Sequence, residues 1–117
     1  MKKSLFVFTV LLILNSCSSF KSGLTIPDNQ TFLLGEFNDK NYSAKLINKS
    51  NLRVIVIAVD KNSREVTQSF GLAPKGKTKV SIRKDETVYF ENGNGTAVEV
   101  DVILSKGVKG MRYINNK

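Results

Sequence analysis

From Thr31 onward the chain is a succession of short apolar runs separated by turn residues, with no window carrying an apolar stripe of period 3.6. Thr31–Phe37 is the first run, closed by the turn residues Asn38, Asp39, Lys40 and Asn41. Tyr42 to Ile47 alternates, with Tyr42, Ala44 and Leu46 on one face, and Asn48 to Asn51 turns the chain again. Leu52 to Val59 is nearly all apolar and rich in β-branched residues, which predicts a strand covered on both faces or central in its sheet. Asp60–Lys61–Asn62–Ser63 leads into Arg64–Phe70, where Val66 and Phe70 share a face. After the loop Ala73–Gly76, Lys77 to Arg83 alternates cleanly, with Val80 and Ile82 inward and Lys77, Lys79, Ser81 and Arg83 outward.

Lys84–Asp85 connects tightly to Glu86–Glu91, and Asn92–Gly93–Asn94–Gly95 supplies the strongest hairpin signal in the chain. Thr96 to Leu104 places Val98, Val100, Val102 and Leu104 on one face, with Glu99 and Asp101 on the other. A weaker run, Met111 to Ile114, reads as an edge strand. Seven or eight short strands at this spacing predict an all-β fold, a small antiparallel β-sandwich of immunoglobulin-like type. Two facing sheets would bury the alternating Val, Ile, Leu and Phe in one core. A charge at Ile57 or Val100 is expected to unfold a domain whose net stability is about 5–15 kcal/mol.

Composition removes much ordinary enzymology. The 117 residues include no His and one Cys, so the sequence holds no Ser-His-Asp triad, Cys-His pair, CxxC motif or intrachain disulfide. The balance is basic, 18 Lys plus Arg against 10 Asp plus Glu. Nucleic acid is an unsuitable partner all the same, because no aromatic-basic recognition motif accompanies the charge. No cofactor and no metal are expected. Asp60–Lys61–Asn62 opens like a calcium loop, but Arg64 and Glu65 stand where an oxygen ligand and a glycine belong.

The amino terminus locates the protein. Met1–Ser4 is basic, and Leu5–Leu14 is a ten-residue run with only Thr9 polar. As a helix this run spans roughly 15 Å, half of a hydrocarbon core about 30 Å thick. Such a build is a secretory signal and not a membrane span. Leu14–Asn15–Ser16–Cys17 resembles the lipobox of bacterial lipoproteins, in which cleavage precedes a Cys that carries diacylglycerol. The resemblance makes Leu14 the apolar −3 position, Ser16 the small −1 position and Cys17 the acylated residue; Asn15 departs from the usual small or apolar choice. It also accounts for the single unpaired thiol.

The expected organisation is therefore a signal peptide over 1–16, a lipidated Cys and flexible tether over 17–30, and the β-sandwich over 31–117. Removal of Lys2 and Lys3 lowers the formal charge from +8 to +6. A tether of about 13 residues has a root-mean-square span of roughly 20 Å. Two or three fatty chains make attachment effectively permanent, whereas one is marginal. By resemblance, Ser18 after the Cys favours the outer membrane, and Lys21 favours its periplasmic leaflet.

Three constellations carry candidate chemistry. Lys75, Lys77, Lys79 and Arg83, with Lys84 adjacent, form a basic ladder suited to lipid phosphates, acidic glycans or an acidic protein. The same lysines would also discourage edge-to-edge strand pairing. The carboxylates Asp85, Glu86, Glu91, Glu99 and Asp101 read as solvated surface, without the cleft that a two-carboxylate glycosidase needs. Lys77–Asn92 loosely resembles the stretch of copper-binding cupredoxins where a charged turn leads into a strand ending at Asn, but those proteins need two His and a thiolate.

The expected function is non-enzymatic: a lipid-anchored envelope module for binding or scaffolding, with a protein partner in the envelope. Its predicted contact surfaces are the tips Asn92–Thr96 and Asp60–Arg64 or an open sheet edge. At the level of architecture the chain resembles the small β-sandwich lipoproteins of type VI secretion complexes. An inhibitor or immunity-type lipoprotein is the other alternative.

Overall fold

The computed structural model describes residues 20–116. These form nine strands and, among the described residues, no helix. In chain order they are β1 (Phe20–Ile26), β2 (Gln30–Leu34), β3 (Tyr42–Asn48), β4 (Val54–Asp60), β5 (Val66–Leu72), β6 (Lys77–Ile82), β7 (Glu86–Asn92), β8 (Val98–Leu104) and β9 (Met111–Asn115). Two antiparallel sheets result, the first ordered β1-β8-β3-β6 and the second β5-β4-β7-β2-β9.

The expected β-sandwich is present. Its pairings nest around the β4–β5 hairpin: β3 pairs β6, β2 pairs β7, and β1 pairs β8. This is one long hairpin rolled up, with successive strands passed between the sheets. It is the jelly-roll arrangement of two Greek keys, not an immunoglobulin order. The ninth strand, β9, extends the second sheet beyond β2.

Alternation explains the layering. Val98, Val100, Val102 and Leu104 of β8 point inward and are buried, as are Tyr42, Ala44 and Leu46 of β3. Across the core stand Val54, Val56 and Ala58 of β4 and Val88 and Phe90 of β7. Phe90 packs on Phe32 with ring centroids 6.1 Å apart, and Tyr113 of β9 lies 5.1 Å from Phe32 on its other side.

Three sequence expectations change. The segment assigned to the tether is strand and turn from Phe20 onward: β1 pairs β8 over its whole length, from Phe20 opposite Leu104 to Ile26 opposite Val98. Its inward phase is Phe20, Ser22, Leu24 and Ile26, with Phe20 still half exposed at the strand's end, too weak a pattern to mark a strand until β8 supplies the ladder. The first expected run ends at Leu34, because Gly35 adopts a φ of 82° that continues no strand.

The third change concerns Leu52–Val59. Val54, Val56 and Ala58 face the core, while Ile55, Ile57 and Val59 face outward and are half-buried among neighbouring strands, with no second layer over them among the described residues. Ile57 is thus not a core position. The outward row continues through Tyr89 to Leu33, which is only 2% exposed between its cross-strand partners Tyr89 and Arg112.

At the chain's end the expected edge strand is present as β9, and it is held by charge. The Arg112 guanidinium donates two hydrogen bonds to the Glu36 carboxylate, at 2.7 and 2.8 Å. That bonding holds the Glu36 carboxyl below its ordinary value of 4.5. A carboxyl depressed in the folded state stabilises above its unfolded value, and that support is lost as pH falls through the folded one. The protection of the amides of residues 111–115, measured relative to an intrinsic exchange rate that itself slows with acid, is therefore expected to fall between pH 6 and pH 3. In Arg112→Ala that acid-dependent fall in protection should be absent.

Candidate functional site

The outward face of the first sheet is built by register. Lys79 on β6 stands directly opposite Lys45 on β3, Lys45 opposite Ile103 on β8, and Ile103 opposite Lys21 on β1. One transverse row thus carries three ammonium groups across all four strands. The next row is Lys77, Ile47, Asp101 and Gly23. Asp101 lies 4.0 Å from the Lys21 ammonium and 3.9 Å from that of Lys49. Among the described residues no carboxylate lies within ion-pair distance of Lys45 or Lys79.

Like charges directly opposite on antiparallel strands destabilise the pairing. Protection of a sheet edge accounts for Lys77 and Lys79, because β6 is an edge strand. It does not account for Lys45, since β3 lies between β8 and β6. The Lys45–Lys79 pair is therefore a local cost that edge protection leaves unexplained.

The predicted basic ladder is only partly brought together. Lys77 and Lys79 remain on the outward face. Lys75 turns away, with a φ of 61° and its ammonium donating to the carbonyl of Lys49 at 2.7 Å. Arg83 follows the end of β6 and lines a shallow hollow of about 380 Å³ with Asn41, Tyr42, Ser43, Ser81, Ile82 and Lys106. Lys84 sits in the β6–β7 turn, where its amide donates to the Asn41 side chain at 2.9 Å. Cys17 and Ser16 lie outside the described residues.

Sequence reading missed Lys21 and Lys45. An outward phase for Lys45 is visible in the alternation of its strand, but its partner is set by register, which the alternation does not contain.

The carboxylates are dispersed. Glu86 is buried and accepts from the Thr67 hydroxyl and, at 2.8 Å, from the Arg83 amide, which closes the β6–β7 turn. Glu91 faces outward on the second sheet, whereas Glu99 and Asp101 face outward on the first. The Asp60 carboxylate accepts from the amides of Asn62 and Ser63 at 2.8 and 3.0 Å, and these bonds hold its pKa below the ordinary value. Asp60 thus organises its own turn. Among the described residues no group of three or more His, Cys, Asp or Glu side chains is placed to hold a metal. Burial, and then the Glu86 charge, push the Tyr42 phenol well above its usual range.

No family model matches the sequence, and no curated protein matches it. Solved structures do match. Peruvianin-I, a cysteine peptidase from Thevetia peruviana latex, is similar with a TM-score of 0.58 at 9% identity, over 84% of this chain and 56% of that one. Procruciferin, an 11S globulin from Brassica napus, is similar with a TM-score of 0.53 at 12% identity, over 90% of this chain and 24% of that one. The likeness shows the fold alone. This chain spans little more than half the length of the first structure and about a quarter of the second. With no His and one Cys, it holds no Cys-His pair.

Proposed function

We propose that this protein is a non-enzymatic envelope lipoprotein whose Cys17 carries the lipid and whose sandwich binds an acidic envelope protein through the lysine row of its first sheet. The observation that carries the reading is the Lys45–Lys79 pair. An acidic side chain of a partner placed between the two ammonium groups would relieve their repulsion and gain two charge-assisted hydrogen bonds. Lys21 in the same row and Lys77 in the next extend the positive field, and the open edge of β6 offers backbone groups for an added strand.

The amino-terminal pattern supports the anchoring half. A basic start, a ten-residue apolar run and Leu14–Asn15–Ser16–Cys17 together make the lipoprotein processing pattern. Periplasm-facing attachment at the outer membrane fits Ser18 after the Cys.

Two experiments test the halves separately. Acyl labelling and membrane fractionation of the wild type and Cys17→Ala test the anchor: the wild type should take label and sediment with membranes, and the variant should do neither. A variant that remains membrane-bound, beside a wild type without label, defeats it. Lys79→Glu tests the face. Pairing an acid with Lys45 should raise stability by about 0.5–1 kcal/mol while abolishing partner crosslinking in solubilised envelope. A stabilised variant that still crosslinks normally removes the lysine row from the reading.

A further inference from the structure

The two ends of the sandwich differ in surface chemistry. Among the described residues, the exposed large hydrophobic side chains are Phe20, Phe37, Val66, Met111 and Tyr113. The first four lie at one end. Phe20 opens β1, Phe37 lies in the β2–β3 loop, Val66 opens β5 and Met111 opens β9. Phe37 is 70% exposed, Val66 59% and Phe20 49%.

Phe20, Phe37 and Met111 belong to one corner, joined by the β8–β9 loop. The amides of Gly35 and Phe37 donate to the carbonyls of Gly110 and Lys109, at 2.8 and 3.4 Å. Gly110 has a φ of 87°, and a Cβ there would fall 2.7 Å from the Phe37 nitrogen, so the two loops require glycine to lie this close. A Cβ on Gly107 would stand 3.7 Å from the Phe20 ring. Lys40, Lys106 and Lys109 are exposed in the β2–β3 and β8–β9 loops of this corner, where Asp39 is the one exposed carboxylate. At the opposite end the exposed loop residues are Pro27–Asn29, Lys49, Asn51, Arg53, Ala73–Lys75 and Gly93–Ala97, none of them a large hydrophobe.

The chain enters the sandwich at the apolar end, since Phe20 begins β1. Cys17 precedes Phe20 by three residues, which reach at most about 11 Å when fully extended. We infer that the Phe20–Phe37–Met111 corner docks into the headgroup region of an anionic phospholipid bilayer, with Lys40, Lys106 and Lys109 on lipid phosphates. The inference rests on lipidation of Cys17 and adds an orientation to it. The strands then stand away from the membrane, and the lysine row of the first sheet faces sideways, free for a partner. Exposed aromatic side chains on loops that also carry exposed lysines are the chemistry of interfacial contact. A short lead supplies the proximity that so small a patch needs.

The sequence contains no Trp, so one introduced indole reports alone. The full lipidated chain carrying Phe37→Trp is reconstituted into phosphatidylethanolamine–phosphatidylglycerol liposomes with brominated acyl chains and isolated by flotation. Gly93→Trp, at the opposite tip with nothing near its Cβ, is the comparison. The expected result is a blue shift and quenching for Phe37→Trp, with water-like, unquenched emission for Gly93→Trp. Floating protein with both positions unquenched overturns the docking and leaves the anchor standing. Floating protein with both quenched overturns the orientation. Protein that does not float overturns the anchor and the docking together.

Discussion

Val100→Asp is expected to leave no folded protein at any temperature. Val100 is fully buried on β8, in the middle of a strand paired on both sides, by β1 and β3. A carboxylate there loses its hydration between its cross-strand partners Leu24 and Asn48, and the Asn48 amide already donates to three carbonyls. An unpaired buried charge costs more than about 4 kcal/mol, against a total stability of about 5–15 kcal/mol. Even the protonated acid leaves two oxygens without partners. Circular dichroism and proteolysis of the purified variant check this outcome, and a cooperative melt near that of the wild type would contradict the placement of β8.

Ile57→Asp supplies the contrast. Sequence periodicity put both residues in the core, yet Ile57 faces outward beside Tyr89 and Ser69. A carboxylate at that half-buried position keeps part of its water, so the expected loss is about 1–2 kcal/mol, from reduced strand preference and lost apolar cover. Urea denaturation of both variants separates the inward from the outward phase of one continuous apolar stretch.

Asn48→Ala is expected to cost about 2–4 kcal/mol, a large effect for a residue in a turn-like tetrapeptide. Asn48 ends β3 and is fully buried. Its side-chain amide donates to the carbonyls of Leu52, Leu72 and Ala73 at 2.7, 3.1 and 3.2 Å. Its side-chain oxygen accepts from the Ser50 amide at 2.9 Å and the Ser50 hydroxyl at 2.7 Å. Alanine strands these groups at the junction of the β3–β4 and β5–β6 loops, where each unpaired buried group costs about 1–3 kcal/mol.

Asn92 does the same work at the end of β7. Its amide donates to the carbonyls of Ile26, Pro27 and Thr96 at 2.9, 3.1 and 2.9 Å. Asn92→Ala should therefore lose a similar amount, whereas Asn94→Ala, an exposed neighbour, should lose less. Equal midpoints in chemical denaturation for Asn48→Ala and the wild type would refute this account of the loops.

The two asparagines mark where reading the chain succeeds and where it stops. Both stand at the end of an apolar run and before turn residues, and turns do follow them. Their full burial, and the two distant carbonyls each amide gathers besides one four residues on, depend on segments that meet only after the sandwich closes. A turn residue and a turn residue that also bolts two loops together look alike in one dimension.

The strands from β2 to β9 were legible because alternation follows from the pleat itself. Each residue's phase against its neighbours is a local property, written wherever Val, Ile or Phe alternates with Lys, Thr or Glu. Edge strand β1 escaped because Lys21, Ser22 and Gly23 carry almost no pattern and its stability comes from β8. The basic residues were visible too, but as a ladder along one strand. Which of them share a surface was decided by cross-strand register: it set Lys45 against Lys79, added Lys21 and turned Lys75 aside.

By itself the sequence determined the all-strand character, the positions of the turns, the inward phase of most residues and the absence of histidine chemistry. Tertiary structure alone decided the rolled pairing order, the lysine row and the gathering of Phe20, Phe37 and Met111 at one end. The physical reason is distance along the chain. Side-chain phase is set between adjacent residues, whereas register, strand order and surface patches come from pairings dozens of residues apart, which exist only once the core has closed.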